Sequence, residues 1–334
     1  MAILIITHFS NHTVIQTKVM KAFSNNPQND GARRSLMMLK KLENDEVLQP
    51  DIISYNSCLN AFAKARDPIS AQLLVERMEI MYSNGSRVKP DTYTYNTLIS
   101  AWAFCGQKYG AVIAETIFDR METSQIRLDT TTFNTLLSAW GLQKDPERAT
   151  DILHHMFAVK KSGQYDVRPT SQSFAIVINA WAKSKCPRKA FKAKELLTEM
   201  KNRSKLNKKL RPNTHIHATV LNACAFSFGT EEVKREALSI AIETFRECKH
   251  RNDVVYGTFI KACNNLIVND DARRIEMIET AFVQCRQKGL VSDFVLHELF
   301  SSLSFLPEYE KLCGSQDLLS VQEIPKNWCC NLTK

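Results

Sequence analysis

Apolar positions recur along this chain with the period of a helix. Tyr95, Ile99 and Trp102 stand at i, i+4 and i+7 and form one apolar stripe. Phe133, Leu137 and Trp140 repeat it, as do Phe174, Ile178 and Trp181. The fuller pattern reads Y-N-S-C-L-N-A-F at Tyr55 to Phe62, Y-N-T-L-I-S-A-W at Tyr95 to Trp102, and F-N-T-L-L-S-A-W at Phe133 to Trp140. F-A-I-V-I-N-A-W follows at Phe174 to Trp181, with weaker copies at His217 to Cys224 and Tyr256 to Cys263. Its alanines are Ala22, Ala61, Ala101, Ala139, Ala180, Ala223 and Ala262, spaced by 39, 40, 38, 41, 43 and 39 residues. Ser302 holds the same place 40 residues further on. A small residue between the stripe members would let a neighbouring helix approach closely, so the aromatics read first as core.

A second helical pattern follows each first one. It runs Ala71, Leu74, Val75, Met78, then Ala114, Ile117, Phe118, Met121, then Ala149, Ile152, Leu153, Met156, then Ala193, Leu196, Leu197, Met200, and continues in Ala241, Phe245 and Cys248. Pro68, Pro146 and Pro187 stand between the two patterns and suit a first helical turn. Gln49-Pro50-Asp51, Lys89-Pro90-Asp91, Arg168-Pro169-Thr170 and Arg211-Pro212-Asn213 close the repeats. Pro stops one helix there, and the small polar residue suits the turn into the next. One hairpin cannot bury its own apolar face, so hairpins must stack. The reading is an all-α fold: an α-solenoid of about seven to eight helix-turn-helix repeats of 38–43 residues. Approximate repeats are 13–51, 52–91, 92–129, 130–170, 171–213, 214–252, 253–292 and a partial 293–313. A short segment, 1–12, precedes the array, and 314–334 forms a tail or cap, with Ile324-Pro325 and Trp328 as its docking residues.

Charge changes the picture modestly. The 44 Lys and Arg against 35 Asp and Glu leave +9, which favours a polyanion partner. The stretch Lys201 to Arg211 carries Lys201, Arg203, Lys205, Lys208, Lys209 and Arg211 without an acid. It reads as a phosphate contact or as a solvated outer loop. None of the 10 cysteines forms a C-x-x-C pair, which argues against structural zinc. They read as small buried residues of a reducing compartment. No apolar run reaches the ~18 residues of a membrane span, and no signal peptide or Arg-rich transit segment is evident. Deaminase, Walker, nucleophile-elbow and zincin motifs are missing. No catalytic residue, metal or cofactor is therefore expected, and His154-His155, with no partner pattern, reads as an exposed pair.

Tyr95-Asn96-Thr97-Leu98-Ile99, Ala114 to Met121 and Lys89-Pro90-Asp91 resemble the pentatricopeptide repeat family over roughly residues 13 to 300. The family's repeats are about 35 residues long. The excess here lies in Tyr82 to Val88 and Lys201 to Leu210, which would extend the second helix or bulge as a loop. The resemblance implies a single-stranded RNA-binding adaptor that reads one base per repeat, with no membrane or small-molecule partner. Its bases would be read by the residue after the helix-A aromatic together with the repeat's last residue. Asn56 with Asp91 and Asn96 with Asp129 would read uridine, and Thr17 with Asp51 guanosine. Asn134 with Thr170 would carry a weak pyrimidine preference, whereas Ala175, Ala218 and Gly257 lack the groups to read a base. The plainer alternative is that these residues cap helices and close turns. Lys64, Lys183 and Lys261 are placed for phosphate. The family implies processing, stability or translation of transcripts in a mitochondrion or plastid, alongside other RNA-processing proteins; cytoplasm or nucleus stays open. Two other readings remain: a protein-binding scaffold, and the RNA-binding part of a nuclease lacking its catalytic domain.

Overall fold

The structure, a computed structural model, describes residues 18–23, 30–45, 49–163, 166–267, 271–303, 307–314 and 320–332. Thr17 lies outside them. The described residues contain no strand. The helices are α1 (Gly31–Glu43), α2 (Ile52–Lys64), α3 (Pro68–Ser83), α4 (Thr92–Ala103), α5 (Gly110–Thr123), α6 (Thr130–Leu142) and α7 (Pro146–Ser162). They continue as α8 (Ser171–Lys183), α9 (Lys189–Ser204), α10 (Thr214–Ala225), α11 (Glu231–Glu247), α12 (Asp253–Leu266), α13 (Asp271–Gln287), α14 (Asp293–Leu303) and α15 (Pro307–Cys313).

Each A helix begins at the polar residue that closes the preceding repeat. The Asp51 carboxylate accepts from Ser54 N at 2.8 Å, Asp91 from Thr94 N at 2.9 Å and Asp129 from Thr132 N at 2.8 Å. Asn213 and Asn252 cap α10 and α12 in the same way. Thr94, Thr132 and Ser173 return the bond by accepting from the N-cap N–H of Asp91, Asp129 and Thr170. Each such cap stabilises its helix by about 1 kcal/mol. Pro68 and Pro146 open B helices as expected. Pro187 does not, because a turn intervenes and α9 starts at Lys189. The extra residues do both things foreseen for them: α3 and α9 run on to Ser83 and Ser204, and loops follow.

The chain divides into two compact units, residues 1–143 with 147–169, and 144–146 with 170–334. Both are stretches of α-solenoid. In the first, the A helices α2, α4 and α6 pack in succession, and α3 and α5 each lie against their own A helix and the next. In the second, α8, α10, α12 and α14 form the A layer and α9, α11 and α13 the B layer. The stripes fill the cores: Tyr55, Ile99, Phe133, Phe174, Leu221 and Tyr256 are fully buried. Ala101, Ala139 and Ala223, on α4, α6 and α10, are fully buried as well.

Two sets of polar joints tie successive repeats. At the start of four A helices a hydroxyl donates to a carbonyl before the next cap: Thr92 to Arg127 at 2.8 Å, Thr130 to Arg168 at 3.3 Å, Ser171 to Lys209 and Thr214 to His250, both at 2.9 Å. Deeper in the B layer, the residue after the buried helix-B anchor meets the residue before the next anchor. Glu43 pairs with Arg77 at 2.7 Å, Glu79 with Arg120 at 2.5 Å and Glu122 with His155 at 3.2 Å. In the second unit Lys201 pairs with Glu247 at 2.5 Å. The Tyr55 and Tyr95 hydroxyls donate to Glu43 and Glu79 at 2.8 and 2.6 Å. Burial, reinforced by that carboxylate, holds both phenols well above the usual tyrosine range. His155, expected in an exposed pair, is half-buried, whereas His154 is exposed. His155 pairs with Glu122, and its ring lies 5.8 Å from that of Phe133 and 6.1 Å from that of Phe118.

The described tail docks on the last hairpin. Val291 N donates to Trp328 O at 2.8 Å and Asn331 N to Gly289 O at 2.9 Å. Arg286 lies 5.0 Å over the Trp328 ring, and Ile324 is buried. Gly289, at φ +66°, permits this approach, since a Cβ there would meet Cys330 Sγ at 2.5 Å.

Candidate functional site

The residues singled out on the A helices converge on one face of the first unit. Asn56 and Asn96 sit one turn inside α2 and α4, beyond the reach of their own helix ends. They bond instead to the cap of the following A helix. Asn56 Nδ2 donates to Asp91 Oδ1 at 3.4 Å, and Asn96 Nδ2 to Asp129 Oδ1 at 3.2 Å. Each carboxylate therefore has two tasks, capping a helix and orienting an amide. The two Asn residues differ at their other atom. Asn56 Oδ1 accepts from Thr94 Oγ1 at 2.8 Å, and the side chain is nearly buried. Asn96 Oδ1 is buried and has no donor, while Thr132 Oγ1 turns to Asp129 at 3.0 Å. A buried acceptor without a donor is rare in a settled structure and calls for an explanation.

Around Asn96 lies a cleft of about 650 Å³, lined by Asn60 and Ala63 of α2, Asp91, Thr92, Tyr93, Thr97 and Ser100 at α4, and Asp129, Thr131 and Thr135 at α6. It holds one complete Asn–Asp pair and the carboxylate of a second. Tyr93 is exposed at its rim, and Ile53 and Thr131 hold the same position, the second of their A helices. The sequence reading passed over this row; its signal was an exposed apolar or Thr residue two places after each capping Asp. Asn60 and Ser100, one turn beyond the Asn residues, were passed over as well.

The remaining predicted positions fare differently. Asp51 caps α2. Asn134 stands on α6 of the first unit, and Thr170 caps α8 of the second. Ala175 and Ala218 offer no polar group. Gly257 is closed off, since a Cβ there would meet the Phe294 ring at 2.4 Å. Lys64 and Lys183 are exposed at the ends of α2 and α8. Lys261 departs from its expected role: it pairs with the buried Glu298 at 2.8 Å and lies 5.2 Å over the Phe226 ring, so its charge is spent internally. In the basic stretch, Lys201 and Arg203 are paired with Glu247 and Glu199, while Lys205, Lys208, Lys209 and Arg211 are exposed. Among the described residues, no group of three His, Cys, Asp or Glu could hold a metal ion, and no helix is long and apolar enough to cross a membrane.

Comparison with known proteins bears on the repeats themselves. Residues 37–103 and 116–184 match the family described as a pentatricopeptide repeat domain. A pentatricopeptide repeat-containing protein of Arabidopsis thaliana is 26% identical over 251 residues, which cover 74% of this chain. The chain spans 40% of that relative's length. The crystal structure of the pentatricopeptide repeat protein PPR10 from maize aligns at a TM-score of 0.47 with 18% identity, over 89% of this chain and 43% of that one. PPR10 in complex with an 18-nt psaJ RNA element aligns at 0.43 with 18% identity, over 91% and 45%. Over residues 37–103 and 116–184 the chain is thus similar to the pentatricopeptide repeat family.

Proposed function

We propose that this chain binds single-stranded RNA along the A-helix face, with bases seated beside the Asn–Asp pairs of the first unit. The observation that carries the reading is the cleft that brings Asn96, Asp91 and Asp129 together beside the exposed Tyr93. Uracil offers an N3–H donor between two carbonyl acceptors. The Asn96 amide supplies one acceptor, which needs a donor, and N–H groups for a carbonyl. Asp129, in the same cleft, accepts from the Asn96 amide and orients it. The exposed second residues of the A helices, Ile53, Tyr93 and Thr131, stand where they can flank a base, and a tyrosine face stacks on any base. Lys64 and Lys183, with the exposed basic loop, supply charge for phosphate. One base per repeat, with uridine at Asn56–Asp91 and Asn96–Asp129, is the reading extended from the family. So is a role in processing, stability or translation of transcripts in a mitochondrion or plastid.

Fluorescence anisotropy with labelled U-rich single strands, matched duplexes and G-substituted strands tests this. We expect preference for the single strand, weakening with salt. Asn96→Ala should lower affinity about tenfold, the worth of one good base-edge contact. Asn56→Ala should lower it less, because Thr94 already engages Asn56 Oδ1. Asn96→Ser should move preference from U towards G. Equal binding to duplex and single strand, or no response to Asn96, would overturn the reading.

A further inference from the structure

Ala175, Ala218 and Gly257 leave α8, α10 and α12 without a side chain to read a base edge. Eight residues after each of these positions, the same helices end near Lys183, Phe226 and Asn265. All three are exposed, and Phe226 keeps 47% of its surface in water. Because α8, α10 and α12 pack in succession, the three form one row with Phe226 in the middle. Its ring is held in place. The Lys261 ammonium lies 5.2 Å over it and is itself fixed by Glu298 at 2.8 Å. Asn265 Nδ2 donates to Ala225 O, the carbonyl just before Phe226, at 2.8 Å. Lys261, whose charge is spent on Glu298, thereby positions an aromatic side chain.

A second ring stands two residues on. Phe228 is exposed too, and the Lys189 ammonium lies 5.5 Å over it. Lys189 is buried and donates to Ala182 O and Ser184 O, both at 3.3 Å, the carbonyls on either side of Lys183. The Phe226–Phe228 turn is thus set against the end of α8 that carries Lys183. Each ring is approached by a cation and still nearly half open to water, the condition in which an aromatic face can take another π system.

We propose that Phe226 is a stacking seat for a nucleobase of single-stranded RNA, with Lys183 on the adjoining phosphate. The inference rests on the RNA reading of the A-helix face and goes beyond it: the second unit grips the strand by stacking where it has no side chain to read one. Charge favours this occupant. The row carries no acid, and the row behind it, Asn179, Asn222 and Lys261, carries none either, so a phosphate strand meets no like charge there. Every base has a π face, so the seat takes any base and confers no preference among them.

Anisotropy of labelled strands with the full chain tests this through a split between affinity and preference. Phe226→Ala should weaken U-rich and G-substituted strands alike, about tenfold, the worth of one stacked base, and leave the ratio between them unchanged. Phe226→Trp should bind at least as tightly as the parent, whereas Phe226→Leu, apolar but without a π face, should fall with Phe226→Ala. Lys183→Gln should flatten the slope of log affinity against log salt by about 0.7. Irradiated strands that carry 5-iodouridine at each position in turn should crosslink to the peptide that holds Phe226. Parent-like binding by Phe226→Ala or Phe226→Leu, a changed ratio of U to G, or crosslinks that avoid this peptide would overturn the seat and leave the RNA reading of Asn96 standing. Equal binding of duplex and single strand by the parent would overturn both.

Discussion

The two units solve the same packing problem with opposite charges. In the first, the residue after the helix-B anchor is an acid three times, and its mate is Arg77, Arg120 or His155. In the second, Lys201 faces Glu247, and Lys249 with Gln284 makes no ion pair at all. The A faces differ as well: Asn56, Asn96 and Asn134 in one unit, Ala175, Ala218 and Gly257 in the other. Yet the buried stripes are alike, with full burial of Phe133 and Met156 matched by that of Phe174 and Met200. Burial of these large side chains, at about 1.5–3 kcal/mol each, holds the stack in both units. The polar joints are then free to take either sign.

The comparison can be broken first at Glu79. Glu79→Ala removes the acceptor of both Tyr95 and Arg120, and urea denaturation should show a loss of about 2–3 kcal/mol. Lys249→Ala, at the corresponding place after Cys248, should lie within about 0.5 kcal/mol of the parent. A smaller effect is expected from reversing one joint. Arg120→Glu sets like charges against Glu79 and should cost about 1 kcal/mol. Adding Glu79→Lys gives the pair the polarity of the second unit but also removes the Tyr95 acceptor, so the double change should cost less than the sum of the two single changes, as a double-mutant cycle would record. Strict additivity would mean that polarity is fixed by surroundings beyond the pair.

The smallest effect concerns acid. Burial, aided by the nearby Lys201 and Lys194 and opposed by Glu247 and the Asn213 carbonyl, holds the His217 pKa below the usual histidine value. The unfolded chain then binds the proton more readily, so stability is complete above the unfolded value of about 6.5 and declines as pH falls below it. His217→Phe, the residue found at this position as Phe133 and Phe174, should flatten that acid slope in a pH series of thermal melts. An unchanged slope would place the titrating group elsewhere.

The repeats and both helix patterns were legible because buried aromatics, Ala and Met recur at fixed intervals, and burial tolerates few residue types. The polar joints were not legible. Their members flank the helix-B anchor, but Glu, Lys, Arg and His exchange there, so no single residue type repeats. His155 looked solitary for this reason. At the site, the spacing of Asn56 and Asp91 could be read from the sequence. That Thr94 would satisfy one amide and Thr132 would leave the other unmet could not, since both threonines follow the same capping Asp. Lys261 looked like a phosphate ligand because Glu298, its mate, stands 37 residues away on the next A helix.

The hydroxyl joints at the starts of the A helices join the same positions in every pair of described neighbours they link, whereas the charged joints have a direction. Duplication or deletion of a whole repeat within the first unit would still set an acid against Arg or His at each new charged seam. Transplanting a repeat that ends in Glu79 to precede one that carries Glu247 would set acid against acid. A repeat inserted beside its own kind is therefore expected to fit at less cost than one moved across the change of sign.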